Sequence, residues 1–332
     1  LNLRRIISSR EFSVVVVIAL ICLAMAATKS AENFFGPANR INQMRNIALL
    51  GIFAIGETIV IISGGIDLSL GSLIAFTGMA MAMLLVTLGK TLVMPAAIVL
   101  AVVLTLLLAL GIGVVHATLI HKVRLPAFVV TLASLLLLRS QALIMNKQLP
   151  VPLSDYPMIG TLANGNLFDG TPYAVPIPFL ILVVVAVITA QLLNRARIGR
   201  YVYACGSNEL ATELSGVSTY KVKLFAYGAS GLLGGLGGVL WAAYSGQGDP
   251  NIAKAYELDA VAAAVLGGAS LNGGQGSVTG TLLGATLLYV IFSAINLSLD
   301  KPDLWRGTVV GGVLLLAVVV TAVQQRRTAS RH

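Results

Sequence analysis

Long unbroken runs of apolar residues, separated by short polar punctuation, dominate the chain. The alternating or one-faced patterns of a water-soluble fold are missing. Runs of this length predict helical crossings at about 12–28, 46–63, 72–88, 95–120, 126–145, 174–193, 224–245, 257–269, 277–297 and 306–323. A hydrocarbon core of ~30 Å takes roughly 20 helical residues to traverse, so the eighth run is too short to span alone. A membrane barrel would instead show segments of about 10 residues with alternating polarity. The expected fold class is therefore all-α: one polytopic membrane domain over 1–332, with about ten transmembrane helices and glycine-broken segments.

Composition strengthens this reading. The chain is 57% apolar and 11% charged, whereas soluble domains carry about 25% charged residues. The lipid bilayer must then cover most of the outside. The net charge of +9 suggests no nucleic acid, because Lys and Arg collect at the cytoplasmic ends of membrane helices. With the N-terminus inside and crossings alternating, the inner connections hold thirteen of the twenty-two basic residues: Arg4, Arg5, Arg10, Lys122, Arg124, Arg195, Arg197, Arg200, Lys221, Lys223, Arg326, Arg327 and Arg331. The outer connections hold seven: Lys29, Arg40, Arg45, Lys90, Lys147, Lys254 and Lys301. Arg139 and Arg306 fall at or within helices near the outer side. This bias places both termini in the cytoplasm. The three N-terminal arginines ahead of 14–27 look like a secretory signal, but the further apolar spans make an uncleaved first crossing the simpler reading. Cys22 and Cys205 imply no disulfide framework.

Two connections are long. The outer one, 146–173, is rich in Pro, Gly and Asn and reads as a folded cap at the outer mouth. The inner one, 194–223, is strongly basic. In it Leu210, Ala211, Leu214 and Val217 recur at helical spacing, Ser207 or Asn208 is placed to cap the start, and Gly216 to end the helix. A short amphipathic helix bearing Glu209 and Glu213, set between two crossings, is suited to docking rather than spanning.

Enzyme chemistry finds little support. Gly89-Lys90-Thr91 resembles the tail of a phosphate-binding loop, but Leu84 stands where its first glycine belongs. His116, His121 and His332 are scattered, read as helix-end or tail residues, and form no metal-ligand cluster. No cofactor and no metal is expected.

The informative features are two glycine-broken apolar segments. IISGGIDLSLGS, 61–72, carries Gly64, Gly65, Asp67, Ser69 and Gly71; YELDAVAAAVLGGASLNGGQGSVTG, 256–280, carries Glu257, Asp259, Gly267, Gly268, Gly273 and Gly274. Broken helices at membrane depth survive only when buried in protein or lining a wet path, so both are candidates for a translocation path or hinge. Close helix packing through glycine is the competing explanation. Intramembrane acids are functional candidates by default. Asp67 is placed to cap the following helix or to meet a substrate. Glu57, inside the second run, either bonds to a neighbouring helix or faces a wet cavity.

At these residues the chain resembles the sugar-type ABC importer permeases, the group of the ribose, xylose and galactose permeases. The likeness is carried by GGIDLSLGS (64–72), IGRYVYACGSNELATELSGVSTYKVK (198–223) and YELDAVAAAVLGGASLNGGQGSVTGTLLG (256–284). It implies ten helices in the bacterial inner membrane and a second permease copy, identical or a close paralogue. A separate ABC ATPase subunit would lie beneath and a periplasmic sugar-binding protein above, with 146–173 periplasmic. The resemblance makes Gly206–Gly216 the coupling helix that sits in a groove of the ATPase, with Gly206, Ser207, Asn208, Glu209, Ala211, Leu214, Ser215 and Gly216 as ATPase-coupling residues. At Glu57 the resemblance leads one to expect an uncharged residue. The function it implies is translocation of a monosaccharide by alternating access. The rivals are a related permease for branched-chain amino acids or nucleosides, an ion-coupled secondary transporter using Glu57 or Asp67, and an intramembrane enzyme.

Overall fold

The computed structural model describes residues 10–313 except 172 and 303, together with 315 and 319. The readings at Arg4, Arg5, Arg326, Arg327, Arg331 and His332, the Arg10 side chain, and most of the crossing at 306–323 beyond Val313 lie outside the described residues.

The helices follow the apolar runs. They are α1 Arg10–Ala26, α2 Ala31–Phe35, α3 Pro37–Ile62, α4 Leu70–Leu88, α5 Met94–His121 and α6 Ala127–Met145. After these come α7 Pro157–Asn164, α8 Ile177–Arg195, α9 Arg197–Ser207, α10 Glu209–Leu214, α11 Thr219–Ser245, α12 Tyr256–Leu266 and α13 Val278–Ser298. Among the described residues seven are long and apolar enough to cross a membrane: α3, α4, α5, α6, α8, α11 and α13. The chain is an all-α polytopic membrane protein.

These helices sort by what covers them. The most apolar stretch of α3 is 89% buried, whereas that of α6 is 17% buried. α3, α4, α11 and α13 form the interior; α5, α6 and α8 turn faces such as Leu107, Leu136, Leu137 and Val184 outward, where lipid tails are their natural solvent. α11 fits against α5 through small residues: a Cβ on Gly231 would stand 2.5 Å from the Ala109 carbonyl oxygen. Glycine at such a crossing lets two backbones approach closely, and dispersion then holds them.

Two starts differ from the sequence reading, for one reason. α3 begins at Pro37 rather than 46, so Asn39, Arg40, Asn42, Gln43, Arg45 and Asn46 belong to a helix and not to an outer connection. α11 begins at Thr219 rather than 224, with the Ser218 hydroxyl accepting the Lys221 N–H. Polar first turns hide helix starts from a search for apolar runs.

The 146–173 segment is folded. Strand β1 (Val151–Pro152) pairs antiparallel with β4 (Gln247–Gly248), and β2 (Asn166–Leu167) with β3 (Val175–Pro176), around α7. Arg45, buried in α3, donates to the Asn164 carbonyl and the Asn166 side-chain oxygen, both at 3.2 Å. Arg139 of α6 donates to the carbonyls of Pro250 and Ile252 at 2.8 Å. Two arginines read as simple topology markers are thus clamps on polar backbone at this end of the bundle.

Candidate functional site

The first break begins where α3 ends in a glycine turn, Gly64 lying at φ +81°. The turn brings the chain back so that the Asp67 N–H donates to Glu57 Oε1 at 3.2 Å. Asp67 Oδ1 accepts the N–H of Ser69 at 3.0 Å and its hydroxyl at 2.6 Å, while Oδ2 accepts the Ser230 hydroxyl of α11 at 2.9 Å. Both carboxylates are at most 1% exposed. Asp67 therefore closes a turn onto Ser69, the N-cap residue of α4, rather than capping the helix itself, and ties that turn to α11. Among the described residues Glu57 Oε2 and His116 Nδ1 find no hydrogen-bond partner. His116 is no helix-end residue. It is buried in α5, with Nε2 2.7 Å from the Ser134 hydroxyl of α6 and its ring edge-on to Tyr227.

The second break joins α12 to α13. Gly267 packs on Gly280 so closely that a Cβ would overlap that residue's backbone. Gly71, at the start of α4, leaves room for the Glu257 carboxylate and the Ala253 carbonyl. Asp259 is paired with Arg306 and stands apart from the Glu57–Asp67 pair.

Between the two breaks lies Gly206. A Cβ there would overlap the Ile62 carbonyl at the end of α3 and stand 2.6 Å from the Gly274 nitrogen. That nitrogen itself donates to the Ile62 carbonyl at 2.9 Å. Gly64 and Gly273 face Gly206 from either side, and Gly274 faces Ser207. Two further ties run the same way. The Tyr203 hydroxyl donates to the Gly276 carbonyl at 2.9 Å. Lys223, 4% exposed, reaches the Ser63 carbonyl at 3.1 Å and Glu209 at 3.4 Å, so it is an internal strut rather than part of a basic surface collar. Burial raises the Tyr203 phenol above its ordinary range and keeps it a donor. Burial likewise raises the Cys205 thiol, with Lys223 opposing and Glu209 adding to the effect.

The 194–223 connection holds two helices where one was expected. Asn208 breaks them, and its side chain accepts the Ala211 N–H at 2.9 Å to cap α10. Ser215 closes the helix by donating its hydroxyl to the Ala211 carbonyl. α10 buries Thr212 and turns its apolar side out: Leu210 is 67% and Leu214 80% exposed. Gly216 follows at φ +83° in open space.

A model of the family described as the branched-chain amino acid transport system permease component matches residues 39–319. The chain is 38% identical over 312 residues to the ribose import permease protein of Escherichia coli K12, covering 93% of each. This chain belongs to the sugar ABC importer permease family. The ribose import permease of Haemophilus influenzae is 35% identical to it over 95% of this chain and 93% of that one. That of Bacillus subtilis is 33% identical over 91% and 90%. No solved structure matches the chain. The permease family and the apolar helices together make this a multi-pass protein of the inner membrane.

Proposed function

We propose that the chain is the membrane subunit of an ATP-driven importer that passes a monosaccharide handed over by a periplasmic binding protein. A separate ABC ATPase subunit hydrolyses ATP, and a second permease copy completes the channel. In this reading ten helices cross the membrane, both termini are cytoplasmic, 146–173 is periplasmic, and 194–223 meets the ATPase.

The proposal rests on one juxtaposition: α10 offers an exposed leucine face, and Gly206, in the last turn of α9 just ahead of it, sits wedged between both glycine breaks. A push on α10 reaches the end of α3 and the 273–274 turn through Asn208 and Gly206. Glu57, Gly64, Gly65, Asp67, Ser69, Gly71, Glu257, Asp259, Gly267, Gly268, Gly273 and Gly274 then form the path or hinge. The ribose import permeases among its relatives favour a sugar, while the family description favours a branched-chain amino acid. Competition for uptake between D-ribose and leucine decides between them.

The test is the double change Leu210→Glu with Leu214→Glu. Both side chains lie in water in the isolated chain, so thermal stability in detergent should stay within about 0.5 kcal/mol. Co-purification of the ATPase and uptake should be lost. Uptake at the unaltered level would remove α10 from the coupling role.

A further inference from the structure

The sequence reading left unassigned a cavity of about 420 Å³ between α3, α11, α12 and α13. Its volume falls within the range of small-molecule sites, roughly 300–1,000 Å³. One wall is a stripe of four amides on α3: Asn39, Asn42, Gln43 and Asn46. Their spacing of i, i+3, i+4 and i+7 places them on a single helix face. That face lines the cavity, with Asn39, Gln43 and Asn46 half-buried and Asn42 exposed, where an ordinary membrane helix would present apolar groups, so the stripe calls for a polar occupant. The amides are only partly committed. Asn39 is the engaged one, donating to the Phe34 carbonyl and to Ser293 and accepting the Ser293 hydroxyl; Gln43 donates to Ser293, and Asn46 to the Asn42 carbonyl. The side-chain oxygens of Gln43 and Asn46 accept no hydrogen bond among the described residues, and the Asn42 side chain is exposed.

The opposite wall is aromatic. Trp241 lies edge-on to both Tyr244 and Tyr256 at 5.5 Å between ring centres. Trp241 is 9% exposed, and its indole N–H finds no acceptor among the described residues. The charges that reach the cavity cancel: Arg306 is paired with Asp259 and lies over the rings of Tyr256 and Phe292.

These features select a ligand class. An amide offers both donors and acceptors, which matches hydroxyl groups that are themselves both. Aromatic faces carry negative charge density and attract the polarised C–H face of a sugar ring. A carboxylate or an ammonium would need a free counter-charge, and a buried charge without one is costly. We infer that this cavity is a binding site for a neutral monosaccharide within the permease. This rests on the reading of the chain as a sugar carrier and gives that reading a place: the sugar would stop here, beside the Arg45-anchored 146–173 segment, before passing the glycine breaks.

Trp241 reports on the site. The chain has two tryptophans, and the other, Trp305, is 51% exposed and not part of the cavity wall. Full-length Trp305→Phe permease in nanodiscs would be titrated with D-ribose, D-xylose, D-galactose and, as control, leucine. At least one sugar should change Trp241 emission saturably, with half-saturation in the ~1 mM range expected of a transit site, and leucine should not. Asn42→Ala with Asn46→Ala should weaken that sugar at least about tenfold, a loss of ~1.4 kcal/mol, while melting as the parent does. If the double variant melts early, Asn42→Ala alone, at an exposed side chain, should still weaken binding. No saturable response to any sugar, or an equal response to leucine, overturns the site. ATP-driven sugar uptake by the complex is measured separately: uptake without a Trp241 response sinks the site and leaves the transport reading intact. A sugar response in a complex that takes up no sugar upholds the site and sinks the transport reading.

Discussion

Replacing Gly206 with valine is expected to abolish ATP-driven sugar uptake while leaving the permease in the membrane. A branched side chain has nowhere to go, because the nearest atoms are backbone: the Ile62 carbonyl and the Gly274 nitrogen. Overpacking a tight site costs about 1–3 kcal/mol, occasionally more. The strain falls where α9 meets both breaks, so the coupling segment should tilt away and lose its grip on them. The expected result is uptake below about one hundredth of normal in proteoliposomes, corresponding to roughly 2.7 kcal/mol, with ATPase still bound through α10. Gly216→Ala should be far milder. That position has open space around it, so alanine there meets only the left-handed backbone penalty of about 1–2 kcal/mol. Equal damage from Gly206→Val and Gly216→Ala would mean that contact with the breaks is not what matters.

The second large effect separates two changes at one residue. Glu57→Gln keeps an oxygen to accept the Asp67 N–H and removes an ionisable carboxyl buried beside another. Uptake should therefore remain within about twofold of normal. Glu57→Ala leaves the Asp67 N–H buried without an acceptor, at a cost of about 1–3 kcal/mol, and should lower the melting temperature and uptake together. An importer driven by proton movement through Glu57 would show the reverse for glutamine: normal stability and no transport. Uptake assays with internal ATP, and with an uncoupler in its absence, read the two outcomes directly.

Much of this architecture could be read from the chain because lipid imposes a simple rule: apolar runs of sufficient length become helices. The ends of α4, α5, α6 and α13 fall within two residues of the expected places. The rule failed where polar residues enter a helix. The amides of α3 and the Thr219 turn of α11 looked like connections, and the cavity wall vanished from view with them. Its i, i+3, i+4, i+7 amide spacing was in the sequence all along, but it points to a site only once Asn39 is known to be helical. Asp67 reads from GGIDLS as a cap for the following helix, but Ser69 is the N-cap, and the Asp67 carboxylate stops one turn short, bonding Ser69 and Ser230 instead. Gly206 was singled out by resemblance to relatives. That it touches both breaks at once depends on contacts between residues 62, 206 and 274, and no local pattern encodes these. Asp259 stood out as an intramembrane acid, but its partner Arg306 is a contact that only tertiary packing reveals.

Amide hydrogen exchange over residues 206–217, followed in the permease alone and in its complex with the ATPase, bears most directly on the coupling claim. Exchange at α10 should slow at least about tenfold when the ATPase is present, equivalent to ~1.4 kcal/mol of added protection, and should change again on ATP binding together with residues 62–67 and 267–276. Identical exchange with and without the ATPase would contradict the account.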